Sequence, residues 1–153
     1  MRAIRAKNMK GDERGAALLE FAIGATIFVS AMFGVLEVGR MLWVHNSLVD
    51  ATRRAARYAV NQNMSTAAQT GAKNMAVYGN AAGTGQPLVP NLSVSQVKVT
   101  YQNFELGGGT VTAEIENYDF SFVLPLVSKT IRLPAYKTSL TAENAGFVPT
   151  TIP

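Results

Sequence analysis

The sequence predicts an α+β chain: a long N-terminal helix, membrane-spanning in its first half, packed on a short helix and a three- to four-stranded antiparallel sheet. Three observations carry this. The stretch Gly15–Leu36 is apolar apart from Glu20 and contains no proline. Helical spacing continues beyond it to Val60 with only Gly39 as a weak point. After Pro90 the apolar period changes from helical spacing to two, the alternation of half-buried strands.

The apolar run sets the first element. At ~1.5 Å rise per residue, residues 15–36 as a helix reach ~33 Å, enough for a hydrocarbon core of ~30 Å. Gly24 and Gly34 are tolerable in a membrane helix, and Glu37 and Arg40 mark the return to polar surroundings. Past them, Leu42, Val49, Ala56 and Val60, with Val38 and Ala59 beside them, recur at helical spacings and define a face to pack on a domain. Asp50 precedes Arg53 and Arg54 by three and four residues, suited to surface pairs. One helix over about Glu13–Val60 is expected, half in lipid and half on a domain.

Asn61–Ser65 is a polar break, and Ser65 is placed to cap a second helix over Thr66–Tyr78 with an alanine-rich apolar side. Gly79–Pro90, rich in Gly, Pro and Asn, reads as an exposed loop. Val97, Val99 and Tyr101 alternate with polar residues; so do Val111, Ala113 and Ile115 after a turn at Leu106–Gly109, and then Tyr118, Phe120 and Phe122. Ile131 and Leu133 begin a last strand. Pro134 interrupts it, favouring a bulge or an edge, and Tyr136, Thr138 and Leu140 resume on a shifted phase.

Composition narrows the function classes. The 153 residues are 48% apolar and 16% charged, with a net charge of +4. Residues 1–14 hold five basic and two acidic side chains; the remainder holds nine and eight. The basicity is thus a short tail, not a nucleic-acid-binding surface. Without cysteine, disulfides and thiolate chemistry are excluded. The single histidine, His45, has no carboxylate cluster at helical spacing and reads as an interfacial or packed residue beside Trp43, itself suited to a membrane-interface belt. Gly107–Thr110 lacks the Gly-Lys-Ser/Thr end of a phosphate loop, and Glu114 and Glu116 share a strand's polar face. No catalytic constellation, cofactor site or metal site is expected, and the chain is not read as an enzyme.

A basic tail before an apolar run admits three readings: a removable secretory signal cut after Ala31, an uncleaved signal anchor, or a prepilin-like signal cut before a retained span. Glu20 bears on the choice. An ionised group at the centre of a membrane helix costs ~2.5–3.5 kcal/mol on insertion scales, less near the edge, so it usually has a partner. Neither a plain signal nor a plain anchor needs such a residue.

The residues Glu13–Phe21 (ERGAALLEF) and Phe33–Val60 (FGVLEVGRMLWVHNSLVDATRRAARYAV) resemble the TadE-like pseudopilin family of tight-adherence pilus systems. In that family a basic leader ends in Gly, and the mature chain has Glu at its fifth residue and often an aromatic at its sixth. Here Gly15 would end the leader, Ala16 would begin the mature chain, and Glu20 and Phe21 would be fifth and sixth. The resemblance implies a cleaved basic leader (1–15), a transmembrane and assembly helix (16–36) and its extramembrane continuation (37–60); the residue pattern adds a globular α+β domain (61–143) and a flexible tail (144–153). It further implies cleavage by a prepilin peptidase on the cytoplasmic side, a single-pass inner-membrane form with a periplasmic domain, and later residence in the pilus at the cell surface. Implied partners are the lipid membrane, the inner-membrane assembly platform, other pilins and pseudopilins of the same system, and an unspecified surface ligand. The expected role is that of a minor pilin in pilus initiation or tip formation, adherence and biofilm formation. The alternative is an uncleaved, membrane-anchored periplasmic adaptor of the secretion apparatus.

Overall fold

A computed structural model describes residues 10–102, 109–123 and 129–141. The first helix, α1, spans Lys10–Val60 without interruption. It starts three residues before the expected Glu13, and at ~1.5 Å per residue its 51 residues extend ~77 Å. Its second half carries the core face: Val44, Leu48, Ala51, Ala55, Ala56 and Ala59 are buried, with Thr52 among them. This face is rotated from the expected stripe. Ala56 and Ala59 lie on it and Val49 and Val60 border it, but Val38 and Leu42 point away and remain exposed.

The second helix, α2, spans Thr66–Tyr78, as local capping chemistry requires. Ser65 has extended backbone, and its side chain accepts the Ala68 N–H at 3.1 Å. Gly79 closes the helix in the left-handed region, φ 75°, and donates its N–H to the Met75 carbonyl. Small residues let α2 approach α1 closely: Ala72 and Ala76 are buried, and a Cβ at Gly71 would stand 2.8 Å from the Tyr58 hydroxyl. Arg54 of α1 donates to the Ala76 carbonyl at 3.3 Å, placing a cation at the negative end of α2. The following loop is not wholly exposed, as its composition suggested. Val89 is fully buried, and the Leu88 N–H returns to the Val77 carbonyl at 2.8 Å.

A short 3₁₀ turn, Val94–Gln96, leads into the sheet. Strands β1 (Val97–Gln102), β2 (Thr110–Ile115) and β5 (Tyr136–Thr141) form an antiparallel three-stranded sheet in the order β1-β2-β5. Val97 pairs with Ile115 and Ile115 with Tyr136, so buried side chains line up across all three strands and face α1. The expected turn at Leu106–Gly109 falls outside the described residues except for Gly109, as do residues 142–153, which include the expected tail.

Between β2 and β5 the chain makes a separate ribbon. β3 (Asp119–Ser121) and β4 (Thr130–Arg132) pair only with each other. The Tyr118–Phe122 block and the Ile131–Leu133 block therefore do not extend the main sheet. The final strand expected to run through Pro134 is two strands in two sheets. A proline has no N–H for a ladder, and here the chain leaves the ribbon at that residue and joins the sheet two residues later. Phe120 is the ribbon's buried anchor, and Tyr118 beside it donates its hydroxyl to the Pro90 carbonyl at 2.7 Å.

Candidate assembly helix and its junction with the domain

The two halves of α1 differ in what covers them. From Leu18 to Leu36 large apolar side chains point outward around the helix: Phe21 is 74% exposed and Phe28 69%. Fully burying one such side chain is worth ~1.5–3 kcal/mol, so this surface requires an apolar environment. Its hydroxyls are satisfied internally, as lipid demands: Thr26 donates to the Ala22 carbonyl and Ser30 to the Thr26 carbonyl, each at 2.8 Å. A buried core helix would not look like this, because only 6% of the most apolar window is covered by the rest of the chain. The first half of α1 has the length and surface of a membrane anchor.

Gly15, Ala16, Glu20 and Phe21 all lie on this bare half. Gly15 is inside the helix, with open space where a Cβ would stand. Ala16 and Glu20 are one turn apart on the same face, the spacing at which helical side chains neighbour one another. The Glu20 side chain is exposed and makes no hydrogen bond or ion pair among the described residues. The chain's own fold thus brings Ala16 and Glu20 onto one face, but supplies the carboxylate with no partner from the domain.

At the other end of the apolar run lies an arrangement that sequence reasoning missed. Glu37 and Arg40, read there as a return to polar surroundings, form a paired clamp. Arg40 Nη2 meets Glu37 Oε2 at 2.8 Å, and Arg40 Nε lies 3.3 Å from both carboxylate oxygens. The guanidinium also donates to the Ser121 carbonyl of β3 and stacks 4.2 Å above the Phe120 ring. The Val123 backbone amide adds a smaller contribution that favours the ionised Glu37 carboxylate. Glu37 is only 8% exposed, covered by the arginine and the ribbon at the domain's rim and not sunk into its core. The Arg40 hydrogen bond holds its carboxyl below the ordinary value of 4.5, against a smaller opposing effect of desolvation. The available sequence signal was the i,i+3 Glu–Arg spacing directly after the span, but its third partner is a backbone carbonyl 81 residues away.

Further along α1, His45 Nδ1 lies 3.0 Å from the Tyr136 hydroxyl, with the rings edge to face. His45 is exposed, and its ring meets Tyr136 at the edge of the seam between α1 and β5. Thr52 and Thr138 share a hydroxyl–hydroxyl bond of 2.8 Å between α1 and β5. Among the described residues there is no group of three metal-ligating side chains.

The family described as TadE-like protein matches residues 15–57. The chain carries a TadE-like N-terminal segment. The match begins at Gly15 and ends three residues before the end of α1, so it covers both the bare anchor and most of the helix face that packs on the domain. No curated protein and no solved structure matches the chain.

Proposed function

We propose that this TadE-like chain is a pseudopilin, or minor pilin, of a tight-adherence pilus. A prepilin peptidase cuts it after Gly15, and it assembles with other pilins through the helix that begins at Ala16. The domain then stands on the periplasmic side of the inner membrane, and later on the pilus, where it serves initiation or tip formation and so adherence and biofilm formation. One observation carries the reading. In the bare apolar stretch 15–36, which lies within the TadE-like match, the sole charge, Glu20, stands one turn after Ala16 and lacks a partner among the described residues.

The chemistry follows from that placement. Cleavage would free an α-amine at Ala16, a group with an ordinary pKa of ~7.7–8.0 and hence largely protonated at neutral pH. A neighbouring subunit's Glu20 would neutralise it at a helix–helix contact, relieving both charges in a low-dielectric setting. The four-residue rise of ~6 Å between Ala16 and Glu20 sets the scale of the axial stagger. Phe21 would pack beside the pair. Gly15 suits the cut, since a peptidase must unwind the bond it cleaves and Gly lowers helix stability by ~0.5–1 kcal/mol relative to Ala.

A second reading keeps the same span, with the chain whole as an uncleaved adaptor of the secretion apparatus. N-terminal sequencing of the membrane form separates the two. A start at Ala16 supports the pseudopilin, a start at Met1 supports the adaptor, and a start at Met32 would indicate a secreted protein and overturn both. Glu20→Ala then tests the assembly contact. Normal processing with lost assembly is expected; unchanged incorporation into pili would refute the amine–carboxylate pairing.

A further inference from the structure

Beyond Leu36 the surface of α1 does not turn polar on every side. Glu37 and Arg40 pair on the side that meets the domain, where Arg40 also reaches Ser121 and Phe120. Val35, Val38, Leu42 and Trp43 stand ~100–160° round the axis from Glu37, at 3.6 residues per turn, and all four are exposed. Leu42 is 55% exposed and Trp43 52%. On this outer side no charged residue interrupts the helix surface from Phe21 to Trp43. Polar residues begin only at Asn46, followed by Asp50 and Arg53, all exposed. The apolar surface therefore ends five or six residues, ~8–9 Å, further along the axis on the outer side than on the domain side. An upright helix with Leu36 at the edge of the hydrocarbon would hold Trp43 ~10 Å beyond that edge, past a headgroup layer only ~5–8 Å deep.

We propose that α1 lies inclined in the bilayer, with the Val38–Leu42–Trp43 face turned into the lipid interface and the domain carried on the upper side of the helix. The inference rests on residues 16–36 being the membrane anchor. Bringing Leu42 to the depth of Glu37 requires ~7.5 Å of axial offset across a helix ~10 Å wide, an inclination of roughly 35–40°, at the steep end of the range for membrane helices. The length then closes. At that angle a hydrocarbon core of ~30 Å takes ~37 Å of helix, or ~25 residues, the stretch from Ala16 to Arg40, midway between the two exit levels. Continuity favours lipid over another protein: the outer face extends the bare anchor surface without a break and ends in tryptophan, whose amphipathic ring suits the headgroup level. The charge pattern agrees. Glu37 and Arg40 neutralise each other on the domain side, so the two charges at the membrane exit do not face the lipid.

Trp43 is the only tryptophan, so the unaltered full chain carries its own probe. It is reconstituted into phosphatidylethanolamine–phosphatidylglycerol vesicles containing lipid brominated either near the headgroup or near the chain ends, with aqueous iodide on both sides as the opposing quencher. Two reporters in a Trp43→Phe background complete the set. Phe28→Trp reads the span, and Ser121→Trp reads an exposed ribbon position whose carbonyl Arg40 holds on the domain side. Quenching by headgroup-proximal bromine severalfold greater at Trp43 than at Ser121→Trp is expected, with Phe28→Trp quenched by chain-end bromine. Equal quenching at Trp43 and Ser121→Trp overturns the inclination, since an upright helix sunk deeper would wet neither. Bromine quenching absent at Trp43 but present at Phe28→Trp overturns the proposal and leaves the span intact. No bromine quenching at Phe28→Trp refutes the span and the inclination together. A Trp43 shielded from both bromine and iodide means that a protein neighbour covers the outer face, and the proposal fails in that direction.

Discussion

Replacing Phe120 by alanine should detach the ribbon from α1 while leaving the rest of the domain in place. Phe120 is 1% exposed, lies edge-to-face on Phe122 with centroids 5.0 Å apart, and carries the Arg40 guanidinium 4.2 Å above its ring. Truncating a buried Phe to Ala costs ~3–5 kcal/mol through lost burial and the residual cavity. The cation–π contact falls within that figure and contributes ~0.5–1 kcal/mol, because the Arg40 side chain is 39% exposed. A domain of this size has a total stability of only ~5–15 kcal/mol, so about a fifth or more of it is at stake. The loss should first appear locally. The Phe122 N–H bonds Lys129 and the Leu133 N–H bonds Tyr118, so both amides report the ribbon. Amide exchange on the full chain in detergent should show these two losing protection ahead of the sheet amides of β1 and β2, and denaturant unfolding should show the drop in stability. A loss under ~1 kcal/mol with both amides as protected as before would refute Phe120 as the anchor.

Two other outcomes follow. Gly79→Ala places a Cβ at φ 75° and within 3.0 Å of Leu88; a left-handed non-glycine residue costs ~1–2 kcal/mol, and denaturant unfolding should show a loss of about that size. The ribbon should also loosen in acid. Glu37 and Asp119 both have carboxyl groups held below their ordinary values, 4.5 and 3.8, by hydrogen bonds from Arg40 and Arg132 respectively. Stability linked to a lowered carboxyl pKa is fully present above the ordinary value and is lost as pH falls through the lowered one. Exchange at Phe122 and Leu133, corrected for the intrinsic rate, should therefore accelerate below pH 4.5, and Glu37→Gln should flatten its share of that dependence.

The parts of the fold legible in the sequence were those fixed by neighbours in the chain. Ser65, Thr66–Tyr78 and Gly79 form a capped helix through bonds spanning three or four residues, and the expected bounds of α2 coincide with the observed ones. The alternation of Val97–Tyr101 and Val111–Ile115 fixes which faces are apolar, and the sheet buries those faces. What could not be read was the choice between equivalent surfaces. The second half of α1 carries two apolar stripes, one through Val38 and Leu42 and one through Val44, Leu48 and Ala55. Periodicity detects both, and only the approach of α2 and β5 selects the second. Strand partnership was ambiguous for the same reason: the Tyr118–Phe122 alternation declares a strand but not its neighbour. The shared helix face of Ala16 and Glu20 was legible because one helix turn defines it, whereas the contact that joins Arg40 to Ser121 across the chain was hidden.

The unbroken α1 links the two ends of this design. No proline interrupts Lys10–Val60, and the helix is straightforwardly continuous past Gly39, so the span and the domain's core face belong to one rod. Twenty-four residues separate Glu20 from Val44, the first fully packed core residue, which at ~1.5 Å per residue is ~36 Å. A contact at Glu20 would therefore set the height of the domain as well as the register of the anchor. A flexible joint at the membrane exit would destroy that relation. Instead this is where Glu37 and Arg40 tie the helix to Ser121 and Phe120. An ion pair on a helix surface adds little to stability, but one whose arginine also holds a strand carbonyl and an aromatic ring restricts an angle. If the first half of α1 is the proposed assembly anchor, the clamp stands at the level where bending would uncouple that anchor from the position of the domain.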